Sequence, residues 1–303
     1  MDLINFKNII DESLISFINK EKNTKIKEIL VHSLIGGKRI RPIICLFVFK
    51  NFFGDIINFN QEKTSIIYKI SLLPEIIHNI SLIIDDLPCM DNDNYRRNKE
   101  TTHFKFGIIP SYITIINLLN NIFIEFKNEI DVNKKIKYIN SNGKLEIINC
   151  RNFIHELLIL HLETLIEGQY YDLSFLNIKM NLEILYKINS KKTSPLFSLS
   201  FILGYIQIIH INPNFILEYK IIEELKQLGE LFGLIFQLND DILDREKDNE
   251  EGKLLNLSIH LGYDKSINIF NQKCEEFKNK LKNIKLWNQN FEDIIILLKK
   301  RIN

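Results

Sequence analysis

EIIHNISLIIDDLPCMDNDNYRR, residues 75–97, sets an apolar run directly before four aspartates and two adjacent arginines. Ile76, Ile77, Ile80, Ile83 and Ile84 recur at helical spacing, and Pro88 predicts that regular helix stops near Leu87. Asp85 and Asp86 therefore fall at a helix C-terminus, where the backbone dipole already carries partial negative charge. Asp91 and Asp93 follow closely. Carboxylates about 4 Å apart repel by several kcal/mol even at an effective dielectric near 20, so a cation has to offset them. Arg96 and Arg97 could do so, and a solvated acidic loop is the plain alternative. An EF-hand calcium loop does not fit, because counting from Asp91 puts Arg96 and Thr102 where its Gly and Glu belong. A zinc site of the HExxH type fails as well, since His155–Glu156 is followed by Ile159 in place of the second histidine.

FQLNDDILD, residues 236–244, repeats the pattern on a second apolar helix. Asp240 and Asp244 are four apart and share a face, with Asp241 adjacent. Six carboxylates from two facing helices would repel strongly without a cation. All-oxygen ligands point to a hard cation, and Mg²⁺ favours a few carboxylates plus phosphate oxygens, so the implied ligand is a diphosphate. A dry cavity between the helices would suit an apolar tail.

The rest of the chain supports a helical protein. It has 303 residues, 46% of them apolar, which allows one large domain or two small ones. Helical spacing runs almost throughout, glycine and proline are sparse, and no linker or solenoid repeat divides the sequence, so the expectation is a single all-α bundle over 1–303. Breaks are expected near 51–60, 129–144, 210–214 and 245–253. Acids and bases nearly cancel, 38 against 39, which gives no reason to expect a nucleic-acid partner. Cys45, Cys89, Cys150 and Cys274 show no CxxC spacing and fit a reducing compartment. With neither a secretory nor a transit pattern at the N-terminus, a cytoplasmic location is expected. The charge-free stretch at 108–124 is expected to be a buried helix rather than a membrane span, because Pro110, Asn117, Asn120 and Asn121 interrupt it. The chain contains no alanine, the best intrinsic helix former, so its helices must lean on tertiary burial.

The two acidic motifs, in this order, resemble those of the trans-prenyl diphosphate synthases, the farnesyl and geranylgeranyl diphosphate synthase group. GGKRIRP at 36–42, HNISLIIDDLPCMDND with the following RR, EGQYYDL at 167–173 and KKTSPLF at 191–197 extend the likeness over roughly 31–264. The resemblance implies a helical bundle of the isoprenoid synthase type around a central apolar cavity. It implies an enzyme that joins isopentenyl diphosphate to the carbocation left when an allylic diphosphate ionises. It implies Mg²⁺ on Asp85, Asp86, Asp91, Asp240, Asp241 and Asp244, with Gly37, Lys38, Arg41, His78 and Arg97 around isopentenyl diphosphate and Arg96 on the allylic diphosphate. Lys192, Thr193 and Gln237 match positions beside the developing cation, and Lys253 the last lysine of a closing loop. A homodimer is implied too, without an integral membrane segment. Ile80, five residues before Asp85, matches a floor position of the hydrocarbon pocket, which favours a C20 over a C15 product.

Departures from the pattern are a shortened loop after Asp244, Glu167 before Gly168 in place of Gly, Asn98 for Gly and Asn117 for Asp. Two rivals share the architecture. A terpene cyclase usually carries an NDxxSxxxE-like second motif, and NDDILDREK lacks the serine. A non-catalytic subunit of a prenyltransferase heteromer would be free to lose the aspartates that this chain keeps.

Overall fold

The computed structural model describes residues 2–54, 61–129, 134–174, 181–252 and 254–302. Helices dominate. α1 (Asp2–Asn19), α2 (Thr24–Leu34), α3 (Ile40–Phe53), α4 (Gln61–Ser71) and α5 (Leu73–Asp85) form the first half. After a hairpin, β1 (Tyr95–Arg96) and β2 (Lys99–Glu100), come the short α6 (Thr102–Phe106) and the long α7 (Ile108–Glu129). A second hairpin, β3 (Lys135–Ile139) and β4 (Leu145–Asn149), leads into α8 (Cys150–Ser174) and α9 (Leu182–Ile206). β5 (Ile216–Glu218), α10 (Tyr219–Leu243), α11 (Arg245–Glu250), α12 (Leu257–Leu261), α13 (Tyr263–Asn283) and α14 (Gln289–Ile302) complete the chain.

α9 is the hub, packing against α3, α8 and α10, and every residue from Ser194 to Ile206 is buried. Its contact with α10 is very close: a Cβ on Gly229 would lie 2.2 Å from the Ser198 Cα, and one on Gly233 2.5 Å from the Ser194 Cα. In a chain without alanine, serine and glycine supply the small residues that let helices touch. The serine hydroxyls are not stranded there, since Ser194 donates to the Glu230 carbonyl and Ser198 to that of Lys226, each at 3.0 Å. Beneath them Phe197, Phe201, Phe232, Phe277 and Phe291 tie α9, α10, α13 and α14 into one aromatic cluster. Burial of this kind replaces the missing intrinsic propensity.

Three features differ from the sequence expectation. The break near 129–144 contains strands: β4 pairs antiparallel with β3, and β3 pairs parallel with β5, giving the order β4-β3-β5. The signal was Asn142-Gly143, with Gly143 at φ 75 and the Asn140 side chain accepting from the amides of Asn142 and Lys144. The break near 245–253 includes the short helix α11. The third difference is α7, which is buried on one face only. Ser111, Thr114 and Leu118 point inward, whereas Ile109, Ile116 and Phe123 are 72%, 65% and 62% exposed. Two other helical stretches, Ser65–Asp85 and Leu182–His210, are long and apolar enough to cross a membrane, and both are mostly buried within the protein.

Candidate active site

α5 delivers the first acidic cluster. Its last residue is Asp85 and its cap Asp86, two residues short of the predicted stop, and both side chains are buried. The chain then folds back, with the Asp91 amide donating to the Asp85 carbonyl at 2.9 Å, and β1/β2 returns Arg96 to the cluster. Arg96 donates from Nε and Nη2 to Asp86 Oδ1 at 2.7 and 2.6 Å, a charge-assisted pair that answers the repulsion expected there. The turn between the strands holds Arg97 and Asn98 at φ 55 and 60. Two successive left-handed residues make the type I′ geometry of a two-residue hairpin, and asparagine tolerates that conformation, so Asn98 costs little where the related pattern has Gly. For Arg97 the same geometry is strained, which presents its side chain outward.

α10 delivers the second cluster. Asp241 points inward and accepts from Gln237 Nε2 at 2.8 Å and the Leu257 amide at 2.9 Å. Asp240 pairs with Arg301 on α14 at 2.9 Å, while Asp244 caps the helix and is exposed. Asn256 braces the following turn by donating to the Asp241 carbonyl and the Asp248 carboxylate, both at 2.9 Å. Lys253 lies outside the described residues.

A path of side-chain contacts joins the clusters across four helices. Gln169 on α8 donates to Asp85 at 2.8 Å, and three residues on, Asp172 pairs with Lys192 on α9. Next to Lys192, Thr193 donates to Gln237 Oε1 at 2.6 Å, and Gln237 donates in turn to Asp241. Lys192, Thr193 and Gln237 thus stand between the two sets of aspartates. Pro195 removes one helical hydrogen bond just beyond them, and Gly168 lets α8 approach the Lys191–Lys192 peptide, where a Cβ would meet backbone at 2.5 Å.

The GGKRIRP motif divides its basic residues. The Lys38 side chain reaches solvent, and partial desolvation of its ammonium together with Arg301 and Arg97 lowers its pKa, with Asp240 acting in the other direction. Arg41 is buried over the Phe197 ring at 4.5 Å, its Nε without a hydrogen-bond partner among the described residues, and burial lowers its pKa to about 10. Arg39 turns inward instead, to Asp11 at 2.7 Å, Glu75 at 2.9 Å and the Leu34 carbonyl at 2.8 Å. Gly37 is required beside it, because a Cβ there would lie 2.5 Å from Arg39 Nη1. His78, one helical face away on α5, is pushed well below its ordinary pKa by burial and by Arg41, Arg97, Arg96 and Arg39, so it is neutral.

The carboxylates carry the mark of an uncompensated site. Burial raises Asp85 to about 6 and Asp241 to about 7, and it raises Asp86 and Asp240 despite their arginine partners. Among the described residues no three Asp, Glu, His or Cys side chains converge into a ready-made metal cage. An oxygen-only donor set split between two helices nonetheless fits Mg²⁺, which takes one or two protein carboxylates per ion and completes its shell with water and phosphate. Sequence reasoning missed Arg301, Asp172, Gln169 as a brace for Asp85, and the inward turn of Arg39. Only EGQYYDL offered a signal for the middle two.

The polyprenyl synthetase family model matches residues 23–264. The chain belongs to the polyprenyl synthetase family. It is 35% identical over 257 residues to geranylgeranyl pyrophosphate synthase 4 of Arabidopsis thaliana, covering 82% of this chain and 61% of that protein. With the farnesyl diphosphate synthase of Micrococcus luteus it shares 30% identity over 307 residues, 98% of this chain and 96% of the other. The fold matches that of a geranyltransferase from Helicobacter pylori crystallised with magnesium and isoprenyl diphosphate, at a TM-score of 0.68 and 24% identity, over 99% of this chain and 96% of that one. Against the family pattern, the departures have local explanations. Glu167 pairs with Lys191, and Asn117 donates to the Glu21 carboxylate at 2.7 Å, so an acid remains at that contact although it comes from the connection between α1 and α2.

Proposed function

We propose that this polyprenyl synthetase is a short-chain trans-prenyltransferase, joining isopentenyl diphosphate to allylic diphosphates with Mg²⁺ as the metal. The observation that carries the proposal is the contact path Asp85–Gln169, Asp172–Lys192, Thr193–Gln237–Asp241, which puts the acidic, basic and neutral polar residues of the motifs around one locus. Asp85, Asp86, Asp91, Asp240, Asp241 and Asp244 would hold Mg²⁺. The metal would supply charge for the departing diphosphate. Arg96 and Lys192 would grip the allylic diphosphate; Lys38, Arg41 and Arg97, with Gly37 shaping the turn and neutral His78 as a hydrogen-bond donor, would grip isopentenyl diphosphate. Lys253 would add to the allylic side. As the allylic C–O bond breaks, its electron pair leaves with the diphosphate. The isopentenyl double bond then attacks the carbocation, and the departed diphosphate takes the proton whose loss forms the new double bond. Thr193 and Gln237, already bonded to each other, offer oxygen dipoles to the cation without competing as nucleophiles, and the apolar helices exclude water.

Ile80 is buried about 7.5 Å below Asp85 along α5. A branched aliphatic floor, smaller than an aromatic one, favours the C20 product over C15. The exposed apolar face of α7 supports a homodimer, because Ile109, Ile113, Ile116 and Phe123 leave an unpartnered stripe that a second copy would cover. Cysteines that form no disulfide among the described residues fit a cytoplasmic location.

Incubating the chain with Mg²⁺, isopentenyl diphosphate and each allylic primer, then sizing the products, tests this reading. Elongated linear prenyl diphosphates are expected. A cyclic hydrocarbon would favour the cyclase, and unextended primer in every reaction would favour a non-catalytic subunit.

A further inference from the structure

On the outer side of α9, turned away from Lys192 and Thr193, a groove of about 360 Å³ runs between α8 and α10. Lys187, Lys191 and Lys226 line it, with Glu230 as the one acid in the lining. The acids do not fully answer these lysines. Lys191 pairs with Glu167 at the rim, and Lys226 comes no nearer to Glu230 than 4.0 Å. Like charges gathered in a concave site raise the local potential and draw an anion.

His161 in the same lining narrows the choice of anion. It is 4% exposed, and its Nδ1 lies 2.6 Å from the Leu157 carbonyl. A carbonyl only accepts, so the proton sits on Nδ1 and Nε2 is left as a bare acceptor. That atom is buried and has no hydrogen-bond partner among the described residues. Burial and the nearby Lys226 hold the ring below its ordinary pKa, which keeps it neutral. An unanswered acceptor beside three ammonium groups calls for a ligand that is anionic and also carries a hydroxyl. The hydroxyls in the groove are engaged elsewhere: Thr164 donates to Leu160, Ser194 to Glu230 and Ser198 to Lys226, and Ser190, with the Ser194 proton already committed, is left to donate to Ser194 Oγ at 3.4 Å. Carboxylate and sulfate have the charge but no proton to give. Phosphate and diphosphate near neutral pH have both.

We infer that this groove is a second anion site, distinct from the metal-binding end, which takes a phosphate-class oxyanion. Its charged oxygens meet Lys187, Lys191 and Lys226, and its P–OH donates to His161 Nε2. The site goes beyond the proposed activity and stands on separate residues, although Lys191 adjoins Lys192 and Ser194 adjoins Thr193 on the shared helix.

The test uses the full chain with ¹³C-labelled histidine, the His161 signal being assigned as the one missing from His161→Gln. Inorganic phosphate and inorganic diphosphate are added without magnesium, against potassium chloride of equal ionic strength. A saturable shift of the His161 signal is expected with both, at least tenfold weaker with sulfate, and lost in Lys187→Glu/Lys226→Glu, whose helicity circular dichroism checks. His78 reports separately on the metal-binding end. The inference is overturned if His161 does not move, if chloride or sulfate moves it equally, or if the shift survives the lysine changes.

Discussion

The two acidic clusters each offer three candidate metal ligands and are neutralised in different ways. Asp86 is met by Arg96, which stands ten residues on and is returned by a two-residue hairpin. Asp240 is met by Arg301, which arrives from the last helix. The first cluster is a local device and the second a tertiary one. Desolvation differs as well: the Asp86 side chain is 7% exposed and that of Asp240 34% exposed, so the local pair is the stronger of the two. A short motif thus announces how much charge is present, and the packing of distant helices decides what answers it.

The comparison can be broken most directly at the aspartates. Asp85→Ala and Asp240→Ala are each expected to lower turnover about 10³-fold with helical circular dichroism unchanged, since each removes charge stabilisation from the leaving diphosphate. Near-normal rates in both would refute their role. Arg39→Met should act on stability instead. It leaves Glu75, and in part Asp11, without a cation, and is expected to cost about 3–5 kcal/mol in denaturant unfolding. A stable variant with damaged substrate binding would move Arg39 into the site. The arginine braces should rank by the burial of the aspartate that each one meets. Arg96→Gln is expected to lower kcat/KM for the allylic substrate about thirtyfold, from about 2 kcal/mol of charge-assisted bonding, and Arg301→Gln about fivefold, from about 1 kcal/mol. Equal losses would remove the distinction between local and tertiary neutralisation. The smallest effect on rate is expected from Ile80→Tyr, which should shorten the product by one isoprene unit; an unchanged product distribution would put the pocket floor elsewhere.

What the sequence made legible follows the same division. The α5 helix and its end near Pro88 were readable because spacing and a proline act within a few residues, whereas the inward turn of Asp241 was not, since the spacing singled out Asp240 and Asp244. Helical architecture was readable from periodicity alone. Arg301 was not, because the last of three consecutive basic residues, Lys299, Lys300 and Arg301, looks like surface charge until the helix is docked. Nor was the inward turn of Arg39, which depends on φ 59 at that residue and on acids from α1 and α5. The β4-β3-β5 sheet was hidden because β5 is three residues long and its partner lies more than seventy positions earlier. The open face of α7 was read as core, since composition cannot separate a helix buried in its own chain from one whose apolar side is left for another.

The central claim is that both clusters act on a single leaving diphosphate. It is tested most directly by turnover in Asp85→Ala, Asp240→Ala and the double variant under one set of conditions. Groups that work as a unit are non-additive, so the double variant should be about as slow as either single one. A double variant slower by the product of the two separate losses would mean that the clusters act independently, and would contradict the account.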